Sequence, residues 1–350
     1  PDEDEDEDEA EAATTSPTQA ARAHAVPTGL TTLADAQARA PQARRSTGLE
    51  ELDRALGGGL VAGQQVLLGG NPGVGKSTLC LTILDHLSKE GPALYISGEE
   101  SKDQVLDRAR RLGLRSPSLY VEDTDQLDRA FAVAKSTGAR AVVLDSVQVL
   151  RADGGGQLGG IAQTRAVVDQ VRAYAKPKGI PVILIGHVTK GGDLAGPKAL
   201  EHLVDTVVHM EGDPATALRT VRVSKNRFGS SAELGFLELG AAGLSSVNEP
   251  SGYLLIDRDR DVPGAAMACI IEGQRPLLVE VQALVSDPVG SSPERRTLGY
   301  PKRRLSQLLA VLRSAGHDLT NKTVIVSIAG GLSVSDPALD LAVAAALVSA

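Results

Sequence analysis

The sequence predicts an α/β protein with a parallel central sheet, helices on both faces, and a smaller α+β unit after it. Three observations carry that expectation. Between residues 66 and 186, short apolar runs alternate with longer helical stretches, which is how strands buried on both faces and their crossover helices read in sequence. The first of those runs leads through a glycine-rich loop into an unbroken helical stretch. From about Arg258 the composition turns to paired strands, Met267 to Glu272 and Pro276 to Leu284, then a helix from Arg303 to Ser314 and a strand from Val324 to Ile328.

The chain opens on an acidic arm. Of 44 acidic residues, nine fall in Asp2 to Glu9 and at Glu11 with no basic residue among them; without them, 36 basic residues face 35 acidic ones. The formal charge of −8 therefore belongs to the arm, and the body is close to neutral. Residues 1–42 carry too little periodic apolar surface to fold and read as a disordered arm and linker. At roughly 150 residues per domain, the rest divides into 43–257 and 258–350.

The first of these carries the chemistry. Val66-Leu67-Leu68 reads as a strand, Gly70-Asn71-Pro72-Gly73-Val74-Gly75-Lys76-Ser77-Thr78 matches Gly-x4-Gly-Lys-Ser/Thr at every defined position, and Leu79 to Leu84 continues as a helix. Strand, loop and helix in that order bind a nucleoside triphosphate. The glycines let N–H groups turn inward on the phosphates, Lys76 reaches the outer phosphates, and the Ser77 hydroxyl is placed to hold Mg2+. The helix points its positive end at the anion. ATP and Mg2+ are the expected cofactors.

Further strands follow at Ala93 to Ser97, Ala141 to Leu144 and Val182 to Ile185, with helical stretches at Val105 to Leu112, Ala130 to Ala134 and Ile161 to Ala175. In such a sheet functional residues gather at the carboxyl ends of the strands. Asp145, a carboxylate after four apolar residues, is placed as the second Mg2+ partner; a cap or turn residue is the plain alternative. Glu99 and its neighbour Glu100 are rivals for orienting or deprotonating the attacking water. His187 reads either as a sensor of the γ-phosphate or as a core histidine.

The strand Thr220 to Ser224 ends in Lys225-Asn226-Arg227-Phe228-Gly229. Two cations on a tight turn suit a triphosphate held by a neighbouring subunit; a solvated basic turn is the other reading. Cys80 and Cys269 lie far apart in apolar runs and read as buried structural thiols, neither zinc ligands nor a disulfide. No stretch of 18 apolar residues exists and the N-terminus is acidic, so neither a membrane span nor a signal peptide is expected, and a cytoplasmic location follows. With 2% aromatics and no Trp, stacking on aromatic platforms is a poor route to nucleic acid.

Together these segments resemble the RadA (Sms) family of bacterial DNA repair ATPases, within the RecA superfamily. The resemblance runs from about Ser46 to the end. It rests on Ser46-Thr47-Gly48-Leu49-Glu50-Glu51-Leu52-Asp53 with Leu56-Gly57-Gly58-Gly59-Leu60, on Tyr95-Ile96-Ser97-Gly98-Glu99-Glu100-Ser101, and on Gly186-His187-Val188-Thr189-Lys190 with Ala195-Gly196-Pro197-Lys198 and Leu200-Glu201-His202. Gly191-Gly192 and Lys198 are local departures. Lys225 to Gly229 is the family's signature pentapeptide. The resemblance implies a RecA-like fold, Glu99 as the water-activating residue, and a trans role for Lys225 and Arg227. It implies also a homo-oligomeric ring, usually hexameric, with single-stranded or branched DNA at its centre and a recombinase partner. The Asp153 to Gly160 stretch takes the place of a first DNA loop and Gly186 to His202 that of a second. Arg151, Gln157, Arg165, Lys190 and Lys198 are the candidate DNA contacts, although ordinary connections look the same.

The last segment resembles a Lon-protease-like domain. Alignment back from Ala344 to Ser349 puts Pro337 on the active-site proline and Ala338 on the nucleophile, and the dyad's lysine would fall beyond the end of the chain. No proteolysis is expected. Arg295-Arg296 and Lys302-Arg303-Arg304 read either as a DNA-facing surface or as a solvated face. The family's N-terminal four-cysteine zinc finger has no counterpart, because no cysteine precedes Cys80, and no zinc is expected. The function expected is an ATP-driven motor that branch-migrates recombination intermediates or acts as a DNA helicase. A RecA-type strand-exchange ATPase and a KaiC-like signalling ATPase that does not act on DNA are the alternatives.

Overall fold

The strand that feeds the phosphate loop is the fifth of nine in one sheet. The computed structural model describes residues 42–154, 156–186, 199–212, 216–231, 233–255, 262–288, 290 and 292–350. Ahead of that strand lie β1 (Arg44–Arg45), α1 (Glu50–Leu56) and β2 (Leu60–Val61), with β1 antiparallel to β2. Then come β3 (Gln65–Gly70), α2 (Lys76–Leu87), β4 (Ala93–Ser97), α3 (Lys102–Arg111), β5 (Leu119–Asp123), α4 (Leu127–Thr137), β6 (Ala141–Asp145) and α5 (Ile161–Ala175). β7 (Val182–Ile185), α6 (Ala199–Leu203) and β8 (Thr206–Glu211) complete the parallel part.

The order β8-β3-β7-β6-β4-β5 is parallel throughout. Its inner strands β3, β7, β6 and β4 are largely apolar at consecutive positions because both faces are covered. Leu68, Tyr95 and Val143 pack with Leu79, Ile83 and Leu84 of α2 on one face, while Leu67, Ile96 and Leu144 pack with Val167, Val168 and Val171 of α5 on the other. Ser101 starts α3 with a capping box, accepting from the Gln104 N–H, which satisfies an otherwise orphan donor. The register aligns Ser97 with Asp145 and Asp145 with Ile185, so the carboxyl ends of β4, β6 and β7 lie side by side.

Beyond β8 the sheet turns antiparallel through β9 (Leu218–Asn226), β10 (Glu233–Gly240) and β11 (Gly243–Ser246). After α7 (Pro250–Leu254), a second sheet forms in the order β12-β13-β15-β14. β12 (Ala265–Glu272), β13 (Arg275–Ser286) and β15 (Thr323–Ile328) are antiparallel neighbours, and β14 (Arg295–Leu298) lies parallel to β15. With it come α8 (Lys302–Ser314) and α9 (Leu339–Ser349). Leu218, Leu234 and Phe236 of the first sheet share one core with Ile270, Val279 and Val343. Arg222 and Arg275 add ion pairs to Glu272 and Glu51, each at 2.8 Å.

Two expectations are corrected. Cys269 is exposed, because β12 buries only alternate residues, Ala268 and Ile270, and an apolar run in sequence hides that alternation. Lys225 and Asn226 belong to β9, so only Arg227 to Gly229 form the turn; β8 supplies the ladder that extends the strand. Arg304, in the basic stretch Lys302 to Arg304, is paired within the chain: its Nε donates to both oxygens of Asp340 at 2.7 and 2.9 Å, beside the Tyr300 hydroxyl.

Candidate nucleotide site

The phosphate loop needs its glycines for close approach. A Cβ on Gly70 would sit 2.4 Å from the Met210 carbonyl of β8, and Gly75 caps α2 at φ +112, a conformation costly for any side chain. Lys76, 6% exposed, donates to the carbonyls of Gly70 at 2.8 Å and Asn71 at 3.1 Å. Burial pushes its pKa down, and the charge of Asp145 partly offsets that.

Ser77 Oγ donates to Asp145 Oδ2 at 2.7 Å, and the buried Tyr95 hydroxyl donates to the same oxygen. Burial and the Asp145 charge push the Tyr95 pKa well up, so the phenol stays a donor. A hydroxyl and a carboxylate converging in this way are hard oxygen ligands that fit Mg2+. Beside them, Glu99 Oε1 accepts from Ser146 Oγ at 2.5 Å, whereas Glu100 is ion-paired to Arg108 at 2.7 Å. Gly73, Lys76, Thr78, Glu99, Arg108 and Asp145 line one cleft of about 300 Å³.

Lys225 and Arg227 are not in that cleft. Thr206 and Val207, which open β8, pair with Asn226 and Lys225, whereas Gly70 pairs with Met210 near the other end. The three residue steps from Val207 to Met210 span about 10 Å of strand, more than the Lys225 side chain covers, and Arg227 lies farther along still. Lys225 Nζ donates to the carbonyls of Glu201 at 2.8 Å, His202 at 3.3 Å and Val204 at 2.8 Å, at the end of α6. Burial and then the Arg227 charge lower its pKa. Arg227 pairs with Asp205 at 3.2 Å and its side chain is 53% exposed.

Of the candidate DNA contacts, Arg151 pairs with Asp125 at 2.7 Å, Arg165 lies 3.9 Å from Asp169, and Gln157 is exposed in the connection before α5. His187, Lys190 and Lys198 lie outside the described residues. Among the described residues no helix is long and apolar enough to cross a membrane. Sequence reasoning missed the Tyr95 hydroxyl, Arg108, and Arg219, whose Nε donates to the Val74 carbonyl of the phosphate loop at 3.0 Å. Tyr95 is two residues before Ser97 on a strand beside β6, a signal usable only once that pairing is known.

A family described as an AAA domain matches residues 32–193. The chain is 45% identical over 311 residues to the DNA repair protein RadA of Pseudomonas aeruginosa, covering 87% of this chain and 68% of that protein. It is 42% identical over 308 residues to RadA of Aquifex aeolicus, 87% and 69% covered, and 41% identical over 309 residues to RadA of Bacillus subtilis, where 87% of this chain is covered and 68% of the relative.

Proposed function

This chain belongs to the RadA family of DNA repair proteins, and on that premise we propose that it is an ATP-driven motor acting on DNA recombination intermediates. It is an ATPase in the coarse sense; branch migration or helicase action is the finer reading. The observation that carries it is the split site. Lys76, Ser77, Glu99 and Asp145 gather at the carboxyl ends of the parallel strands, while Lys225 and Arg227 stand at their opposite ends. Residues of that kind reach a triphosphate only on a neighbouring copy, so a homo-oligomeric ring, hexameric by family resemblance, completes each site.

In that ring Lys76 exchanges its loop carbonyls for phosphate oxygens. Ser77 and Asp145 hold Mg2+, which supplies charge neutralisation. Glu99, fixed by Ser146, orients the attacking water and takes its proton. Arg227 of the adjacent subunit meets the charge that develops in transfer, and Lys225 supports the same phosphates. Lys225 also holds the end of α6, next in sequence to the proposed second DNA loop, which links hydrolysis to DNA. Arg151, Gln157 and Arg165 contact the strand from the first loop. The region after α7 is a proteolytically inactive Lon-like domain that helps assemble the ring, with the cytoplasm as the site of action.

The test is ATP turnover by the whole chain at moderate salt, with and without single-stranded and forked DNA. Binding and stimulation are expected. Turnover indifferent to DNA, together with no DNA binding, would overturn the motor reading in favour of a signalling ATPase.

A further inference from the structure

The turn that carries Arg227 is held from outside its own strand. Arg44 Nη1 donates to the carbonyls of Leu56 at 3.1 Å and Gly59 at 3.4 Å, and Nη2 donates to the Phe228 carbonyl. One planar guanidinium thus joins the segment Leu56–Gly59 to the Arg227 turn, a use of its fixed fork that a lysine does not reproduce. The two backbones approach closely. A Cβ on Gly58, at φ +113, would lie 3.0 Å from Arg44 Cδ, and one on Gly229 would lie 3.8 Å from Gly57 Cα.

Arg44 is itself anchored on the other side. Its neighbour Arg45 pairs with Glu90 at 3.0 Å and donates to the Arg140 carbonyl at 2.8 Å. Asn226 Nδ2 also donates to the Leu56 carbonyl at 3.2 Å, and its Oδ1 accepts from the Phe228 N–H at 3.0 Å. Arg44 and Asn226 therefore grip opposite sides of the turn, leaving Arg227 with its backbone N–H on the Asp205 carbonyl at 3.1 Å and its exposed guanidinium beside the Asp205 carboxylate.

We infer that Arg44 is a positioning residue: it holds the Arg227 turn at the angle from which Arg227 reaches the triphosphate of a neighbouring copy. The inference rests on the trans reading of Arg227 given above. Displacing a reacting group by about 1 Å costs on the order of 100-fold, so loss of this clasp slows turnover without touching the subunit's own phosphate loop.

The experiment mixes variants. Arg44→Ala alone binds ATP within about twofold of the parent chain and loses on the order of 100-fold in turnover. Lys76→Ala, with an intact Arg227 turn and a dead phosphate loop, has no turnover of its own. Mixed together, they form sites with an Arg44→Ala phosphate loop and a Lys76→Ala turn, and turnover rises well above the sum of the two. Arg227→Ala mixed with Lys76→Ala is the control. If the control recovers and the Arg44 mixture does not, the positioning role is wrong while the trans site stands. If the control also fails, the trans reading falls and takes the inference with it. Arg44→Lys, which keeps charge but not the fork, replaces the alanine variant if that does not fold, and the same recovery is expected of it.

Discussion

The Nε of Arg219 donates to the carbonyl of Val74 at 3.0 Å, so the crest of the phosphate loop is tied to β9 from behind. Arg219 is 4% exposed, and its Nη1 is given to the carbonyls of Thr216 at 2.7 Å and Leu218 at 2.8 Å. The guanidinium fixes the loop without lining the cleft. Arg219→Met removes these three bonds, and taking the donor from the buried Val74 carbonyl alone costs about 1–3 kcal/mol. The KM for ATP is expected to rise about tenfold, equivalent to about 1.4 kcal/mol, with kcat changing less. An unchanged KM beside a lowered melting temperature would show that Arg219 only holds β9.

Asp145 accepts from both Ser77 and the buried Tyr95 hydroxyl, so two substitutions separate its roles. Asp145→Asn keeps an acceptor for both hydroxyls and should fold like the parent, yet lose the anionic Mg2+ partner and on the order of 100-fold in turnover. Asp145→Leu also orphans Tyr95 and should lower the melting temperature, reflecting about 1–3 kcal/mol. A magnesium titration reads the first effect; an unaltered Mg2+ requirement in Asp145→Asn would remove the metal assignment.

Glu99 and Glu100 are separated by what each already holds. Both line the cleft, but Glu100 is committed to Arg108 at 2.7 Å, whereas Glu99 takes the Ser146 hydroxyl. Glu99→Gln keeps the hydrogen bond and removes the base, so ATP binding persists while hydrolysis falls by about 10²–10⁴. Glu100→Gln loses a half-exposed ion pair of about 0–1 kcal/mol and keeps most turnover. The reverse pattern in single-turnover assays would reassign the base.

The parallel half of the sheet was legible because β3, β4, β6 and β7 are continuous apolar runs, and strand-end carboxylates follow from parallel order alone. The phosphate loop was legible for the same local reason. β5 reads Leu-Tyr-Val-Glu-Asp at the sheet edge, where one side is open and no apolar run is needed. Arg219, Tyr95 and Arg44 act across 145, 50 and 184 residues of sequence, and no local pattern encodes a partner at that distance. The position of Lys225 at the opposite end of the strands depends on β9 running antiparallel to β8, which its composition does not state.

The two thiols give a quick check of the second sheet. Cys80 is buried, and burial followed by the Asp145 charge pushes its pKa well up, which suppresses the reactive thiolate; Cys269 is exposed on β12. A thiol reagent at mildly alkaline pH should modify Cys269 in the native chain and Cys80 only after unfolding. Two native thiols reacting at one rate would contradict the alternation along β12.

The proposed DNA contact by the loop after β6 would have a signature that net charge cannot mimic, because the body of the chain is near neutral once the acidic arm is set aside. Arg151 is engaged with Asp125 and Arg165 lies near Asp169, both pairs largely exposed. Exchanging such a partner for a phosphate costs little, since exposed pairs are worth about 0–1 kcal/mol. Each phosphate contact releases counterions, so Arg151→Ala or Arg165→Ala should weaken binding alike for unrelated sequences and reduce the slope of log affinity against log salt by about 1. Titrations of single-stranded DNA at several salt concentrations measure that slope. An affinity loss confined to one sequence would mean base reading, and an unchanged slope in both variants would place the strand elsewhere on the protein.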